Sequence, residues 1–313
     1  MINRRQWLGI TGGVGAALAL DPRLLSALRQ GQLITRAVPS TGERLPIIGL
    51  GSSATFAAVA RSQDYSALRD VFRVMTEKGG TVFDTAPGYG ASEQVAGDIA
   101  AELGITERVF WATKMNVSRG GPADPTQARE QVETSLKRLR KKPVDLIQVH
   151  GPVEMPTQLG VLNEFKKAGR VRYVGVTSTS KPQYQEMERL MRTEPLDFIG
   201  IDYAIDNRSV EERILPTAAE RGIGVVIYLP FGRTRLWKRV AGRQVPEWAK
   251  EFDATSWAQF FLKFVAADPR VTVITPATSR AGNMADNLGA AVGRLPDDAM
   301  RKRMVAFIDG LPE

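Results

Sequence analysis

The sequence predicts an α/β fold, a single (β/α)8 TIM-type barrel with an N-terminal β-hairpin. Three observations predict it. Eight short apolar runs rich in β-branched residues recur along the chain: 47–52, 81–86, 109–114, 145–150, 173–178, 198–203, 224–230 and 271–277. Helical patterns fill the gaps between them, and polar groups gather where consecutive runs end. Strands alternating with helices imply right-handed crossovers and a parallel sheet buried on both faces. Eight such units in about 250 residues suit a closed barrel. An open, doubly wound sheet would share the alternation, but the glycine fingerprint of dinucleotide-binding sheets does not follow the first run.

The chain opens with Arg4 and Arg5 ahead of Trp7, then a short Gly-rich apolar run to Leu20. A basic start before an apolar centre too short to span a bilayer has the layout of a secretory signal. The paired arginines resemble the twin-arginine export signal, which moves folded proteins. Ala17-Leu18-Ala19 forms a candidate cleavage triplet. Residues 1–30 are therefore read as signal and linker, residues 31–313 as the barrel, and the mature protein as exported, periplasmic and free of stable membrane insertion. The export machinery is then one partner.

From Leu33 to Pro46 a short extended pattern folds about Pro39-Ser40-Thr41-Gly42, which reads as a hairpin. The clearest helix spans Asp124 to Lys141, with Asp124 as cap, Pro125 at its first position, and Val132, Leu136 and Leu139 on one face. Further helical patterns span 161–167, 183–191, 211–220, 256–266 and 279–290.

Composition narrows the chemistry. The chain has no cysteine and one histidine, His150, which removes disulfides, thiolate ligands and any multi-histidine metal site. No metal is expected. The formal charge of +8 is spread along the chain, with a denser run from Arg233 to Arg243. It carries no recognition-helix or zinc-finger pattern, so a phosphate-bearing small molecule is expected rather than nucleic acid.

TVFDTAPGYGASE organises the rest. Its strand ends in Asp84, with Tyr89 in the loop beyond. The next two runs bring Lys114 (ATK) and His150 (IQVH) to their own ends, so four polar groups converge on one rim. A phenol with an ordinary pKa near ~10 is a poor acid at neutral pH. The Lys114 ammonium would stabilise its phenolate, Asp84 would hold that ammonium, and His150 would orient a substrate oxygen. The set suits proton donation to a carbonyl oxygen. It contains no electron source, so a cofactor must supply one.

With FDTAPGYGASE, ATK and DLIQVHGP in view, the chain resembles the aldo-keto reductases over roughly Leu45 to Leu295. The resemblance implies a barrel that reduces a small-molecule carbonyl with NADPH. Tyr89 would be the general acid, Lys114 and Asp84 its tuning pair, and His150 the carbonyl orienter. In that family a Ser-Asn pair and a Gln hold the nicotinamide carboxamide, where this chain has Thr177, Ser178 and Gly200. Tyr228 matches the aromatic that stacks on the nicotinamide, with Leu229 beside it. Phe231 and Gly232 match the start of the loop over the pyrophosphate. Thr278 and Ser279 match the grip on the adenosine 2′-phosphate, Arg280 stands in for a missing cation at Asn283, and Asn287 matches the adenine contact. The two absent amides keep a second expectation open, a low-turnover nicotinamide-binding redox sensor or docking module on the same fold.

Overall fold

A computed structural model describes residues 31–118 and 121–312, so the signal expected over residues 1–30 lies outside the described residues. Strands β1 (Thr35–Ala37) and β2 (Arg44–Pro46) pair antiparallel, with Arg36 opposite Leu45. Gly42 turns the chain between them at φ 77°, where a side chain would be strained.

Eight strands follow in one parallel sheet, neighbours in chain order: β3 (Leu50–Gly51), β4 (Val82–Asp84), β5 (Phe110–Met115), β6 (Val144–His150), β7 (Val171–Ser178), β8 (Phe198–Asp202), β9 (Gly224–Tyr228) and β10 (Val273–Ile274). The helices around them are α1 (Thr55–Ala60), α2 (Ser66–Glu77), α3 (Ser92–Glu102), α4 (Pro125–Leu139), α5 (Met155–Lys167), α6 (Tyr184–Thr193), α7 (Ile214–Glu220), α8 (Arg235–Arg239), α9 (Trp257–Ala266), α10 (Ala281–Gly289) and α11 (Asp298–Asp309).

The first and last strands close the ring. Ile274 N–H donates to Ile47 O at 2.8 Å, Gly49 N–H to Ile274 O at 2.8 Å, and Gly51 N–H to Pro276 O at 3.0 Å. A Cβ at Gly51 would stand 2.5 Å from Thr275 O, so the seam needs glycine there. Both strands are shorter than the runs at 47–52 and 271–277 predict, because these few bonds replace a continuous ladder.

Side-chain parity sorts the barrel into layers. Phe83 and Trp111 point outward, their ring centroids 5.5 Å apart, and Phe72 of α2 packs 5.0 Å from Phe83. Val82, Phe110, Leu146, Tyr173, Phe198 and Val226 form a separate inner apolar cluster, which Val38 and Leu45 of the hairpin join. The hairpin thus stops the N-terminal end of the barrel. It is tied there by Thr41 Oγ1, 2.8 Å from the Tyr173 hydroxyl, which also donates to Glu43 Oε2 at 2.7 Å. Beyond this layer the inward positions turn polar: Asp84, Gln148 and Tyr228 two residues after Val82, Leu146 and Val226, and Lys114 two after the inward Ala112.

Local chemistry sets the helix ends. Asp124 accepts from Thr126 N–H at 2.7 Å, with Pro125 as first helical residue, as the sequence predicts. Ser256 caps α9 by accepting from Gln259 N–H at 3.1 Å. Helix α5 begins six residues before the pattern at 161–167, with Pro156 in its first turn. Helix α7 starts at Ile214, after a 3₁₀ turn over Ser209–Glu211. Helix α10 starts at Ala281 rather than Ser279, because Thr278 Oγ1 accepts from Arg280 N–H at 3.1 Å and turns the chain first.

Candidate active site

Asp84 and Lys114 meet at the C-terminal rim. Lys114 Nζ donates to Asp84 Oδ1 at 2.7 Å and to Thr85 O at 2.8 Å. Their side chains are 4% and 1% exposed, so this ion pair is held away from water. Parity sends Thr113 outward, where it donates to Glu93 Oε1 at 2.7 Å, and Arg138 reaches Glu93 Oε2 at 3.2 Å. That buried carboxylate anchors α3, and the loop before it, to the strand that carries Lys114.

The same loop delivers Tyr89. Its N–H donates to Ala86 O at 3.0 Å, and Ser92 Oγ donates to its carbonyl at 2.8 Å. Its ring meets His150 edge to face, centroids 5.9 Å apart at 84°, and Lys114 Nζ lies 5.4 Å from its centroid. Asn116 Nδ2 braces the His150 carbonyl at 3.0 Å. The four residues predicted to converge are therefore together. Among the described residues neither the Tyr89 hydroxyl nor the His150 ring has a hydrogen-bond partner, so both tips are available to a ligand.

Electrostatics refine the expectation. Burial pushes the Tyr89 phenol above its ordinary pKa, while the Lys114 ammonium and the Arg233 charge pull it down and Asp84 pushes it up. The net direction is upward, so burial outweighs the ammonium, and the phenol of the free protein is not made acidic outright. Burial likewise lifts the Asp84 carboxyl, against Lys114 and the Tyr228 hydroxyl. Burial and the Lys114 charge push His150 down to about 4, which leaves a neutral imidazole at pH 7 with one N–H to donate.

Tyr228 enters this network from β9. Its hydroxyl lies 2.8 Å from Gln148 Oε1 and 3.1 Å from Asp84 Oδ2, and Lys114 Nζ is 4.9 Å from its ring centroid. A Cβ at Gly200 would stand 2.4 Å from Tyr228 Cε2, so the ring fills the space that a side chain at 200 would take. Sequence reasoning passed over Gln148. Its signal is parity: it sits two residues before His150 on the same strand and so faces inward.

The residues expected to hold a nicotinamide cofactor are unevenly prepared. Thr177 and Ser178 are buried at the end of β7. The Ser178 hydroxyl is engaged within the chain, donating to Gln183 Oε1 at 2.7 Å and accepting from Ser180 N–H at 3.1 Å; a carboxamide would have to displace or share these bonds. Leu229, Gly232 and Arg233 adopt φ of 53°, 56° and 59°, a tightly folded turn after β9. Phe231 packs 5.0 Å from Trp237 and 6.5 Å from Phe261, and Arg235 is paired with Asp206 at 3.0 Å. These contacts pin the segment after β9 that carries the basic run. At the other end, Thr278, Ser279 and Arg280 lead into the N-terminus of α10, where amides favour an anion. Asn287 is 3% exposed and has no side-chain hydrogen bond among the described residues, as an unmet ligand contact would be. The adenosine end fits the cofactor, whereas the carboxamide end lacks amide side chains at the expected places. Among the described residues no group of three or more His, Asp or Glu side chains could hold a metal ion.

Comparison with known proteins agrees with this geometry. The aldo/keto reductase family model matches residues 47–304. Aldo-keto reductase YhdN of Bacillus subtilis (strain 168) is 31% identical over 227 residues, which span 69% of this chain and 66% of that protein, just under two thirds of its length. Probable aldo-keto reductase 1 of Glycine max is 28% identical over 275 residues, 74% of this chain and 77% of that one. Among solved structures, aldo-keto reductase AKR11C1 from Bacillus halodurans superposes with a TM-score of 0.70 at 22% identity, covering 88% of this chain and 96% of its own. An aldo-keto reductase from Klebsiella pneumoniae in complex with NADPH gives 0.73 at 20%, covering 88% and 95%. These two structural likenesses speak for the barrel. With the family model spanning most of the described residues, this chain belongs to the aldo/keto reductase family.

Proposed function

We propose that the protein reduces an aldehyde or ketone to an alcohol with NADPH as reductant. The observation that carries this reading is the Lys114–Asp84 pair, buried beneath the unpartnered tips of Tyr89 and His150 at the mouth of the barrel. The NADPH complex of the Klebsiella pneumoniae relative supports the choice of cofactor. Tyr228 would lie against the nicotinamide ring with Leu229 beside it, Phe231 and Gly232 over the pyrophosphate, and Thr278, Ser279, Arg280 and Asn287 around the adenosine 2′-phosphate end. When bound, the reduced nicotinamide supplies the hydride.

The chain's own residues do the rest. Neutral His150 donates its N–H to the carbonyl oxygen and orients it. Tyr89 gives its proton to that oxygen as negative charge builds there. Lys114, held in place by Asp84 and Thr85 O, stabilises the phenolate left behind. The hydroxyl oxygen of the alcohol product carries the former Tyr89 proton. The test is NADPH consumption by purified protein over a panel of aldehydes and ketones. Turnover is expected in the wild type and a fall of ~10²–10⁴-fold in Tyr89→Phe, the usual contribution of a positioned acid. Undiminished turnover in that variant removes Tyr89 from the role.

A second reading, a low-turnover nicotinamide-binding sensor, draws on the carboxamide side, where Ser178 is bonded to Gln183 and Gly200 offers no side chain. Tight NADPH binding without turnover on any carbonyl would favour it. Export by the twin-arginine route belongs to the same proposal and is motivated by Arg4, Arg5 and the apolar run to Leu20. Because that route carries folded proteins, the cofactor would travel already bound. Substitution of Arg4 and Arg5 by lysine should keep the protein in the cytoplasmic fraction; unchanged fractionation would reject the route.

A further inference from the structure

We propose that the Tyr228 hydroxyl is a positioning group for the reaction, fixing Asp84 and through it Lys114, and that Gly200 and Gln148 exist in this barrel to seat it. This role rests on the reductase reading above.

Asp84 has two oxygens to hold in place. Oδ1 takes Lys114 at 2.7 Å, and the Tyr228 hydroxyl stands 3.1 Å from Oδ2. The ion pair therefore has a third member, brought from the far side of the barrel 144 residues away in sequence. A ring can reach so far inward only over a residue without a side chain. At Gly200 even a methyl group would overlap it, at 2.4 Å from Cε2 and 2.9 Å from the hydroxyl oxygen. The missing side chain at 200 and the inward seat of Tyr228 are thus one feature.

Gln148, fully buried, holds the hydroxyl from below at 2.8 Å. The hydroxyl has one proton and faces two oxygens, while Gln148 Nε2 is buried without a partner. Turning the amide over settles both: Nε2–H donates to Tyr228, and Tyr228 donates to Asp84. The turn leaves an amide oxygen unpaired, a less costly vacancy than an orphaned N–H. The order Gln148 to Tyr228 to Asp84 to Lys114 then runs donor to acceptor up to the carboxylate. There the ammonium meets it from the other side.

The test uses Tyr228→Phe, which keeps the ring and loses only the hydroxyl, with Gln148→Leu as a second variant. NADPH affinity, kcat, KM and the pH profile of reduction are measured for each. Loss of a hydrogen bond to a charged group predicts a fall in kcat of roughly tenfold in Tyr228→Phe. NADPH affinity should stay within about twofold, because the ring remains for stacking. The alkaline limb of the pH profile should also move up, since an Asp84 carboxylate without the Tyr228 hydrogen bond presents more negative charge to the Tyr89 phenolate. Gln148→Leu should shift the limb the same way. A Tyr228→Phe enzyme with wild-type kcat and an unmoved limb overturns the role while the reductase reading stands. A wild-type protein that consumes no NADPH with any carbonyl overturns the reductase reading, and this role with it.

Discussion

Lys114 Nζ lies 5.4 Å from the centroid of the Tyr89 ring, in a site where burial alone would push that phenol upward. The ammonium is the larger counterweight, ahead of Arg233. Removing it by Lys114→Met should raise the phenol further and leave Asp84 as an unpaired buried carboxylate. Breaking such a pair costs about 3–5 kcal/mol, so the variant should lose both turnover and several degrees of Tm, whereas Tyr89→Phe should lose turnover with little change in Tm. A general acid works only while protonated. Reduction by the wild type should therefore be insensitive to this group at neutral pH and fall as pH rises through the phenol's elevated pKa. Steady-state rates across pH, set beside thermal melts, check both statements.

His150 carries a pH signature of its own. Its pKa is pushed down to about 4, from an ordinary 6.5. Between those values the unfolded chain binds a proton that the folded chain refuses, so stability is complete above pH 6.5 and declines as pH falls toward 4. The shift bounds this loss at about 3 kcal/mol, with solvent screening reducing it. In His150→Gln the contribution should vanish. Denaturant unfolding at pH 7 and pH 5 should show a smaller difference in the variant than in the wild type; equal differences would mean that His150 titrates normally.

The seam of the barrel depends on Gly51. A methyl group there would stand 2.5 Å from Thr275 O, against backbone that cannot swing aside as a side chain does. Gly51→Ala should destabilise the protein by about 1–3 kcal/mol or more, in the range of overpacked sites. The seam joins β3 to the segment leading to Thr278, so NADPH affinity should weaken as well. Melting temperature and cofactor titration are the measurements; an unchanged Tm would show that the seam yields.

Arg280 flanks the N-terminus of α10 with Thr278 and Ser279. If it binds the adenosine 2′-phosphate as a charge-assisted donor, Arg280→Ala should lose roughly tenfold or more in KM for NADPH and little for NADH. Equal effects on both cofactors would place the arginine elsewhere.

The strand and helix alternation, the hairpin, the Asp124 cap and the meeting of Asp84, Tyr89, Lys114 and His150 were legible in the sequence. Each depends on local periodicity or on which residue ends a strand. The late start of β3, the early end of β10 and the late start of α10 were not legible, because a three-bond seam and a threonine turn are decided by partners distant in the chain or by a single hydroxyl. Gln148 was hidden for a related reason. Parity could aim it inward, but nothing local could tell that Tyr228 waits there.

By itself the sequence determined the order of elements and the four polar groups at neighbouring strand ends, since chain direction and a two-residue repeat suffice for that. Tertiary structure alone decided the balance of forces among them. Burial against the Lys114 charge sets the acidity of Tyr89, and the empty place at Gly200 sets where Tyr228 lies. Both depend on distances through space, between groups that the chain brings together only when the barrel closes.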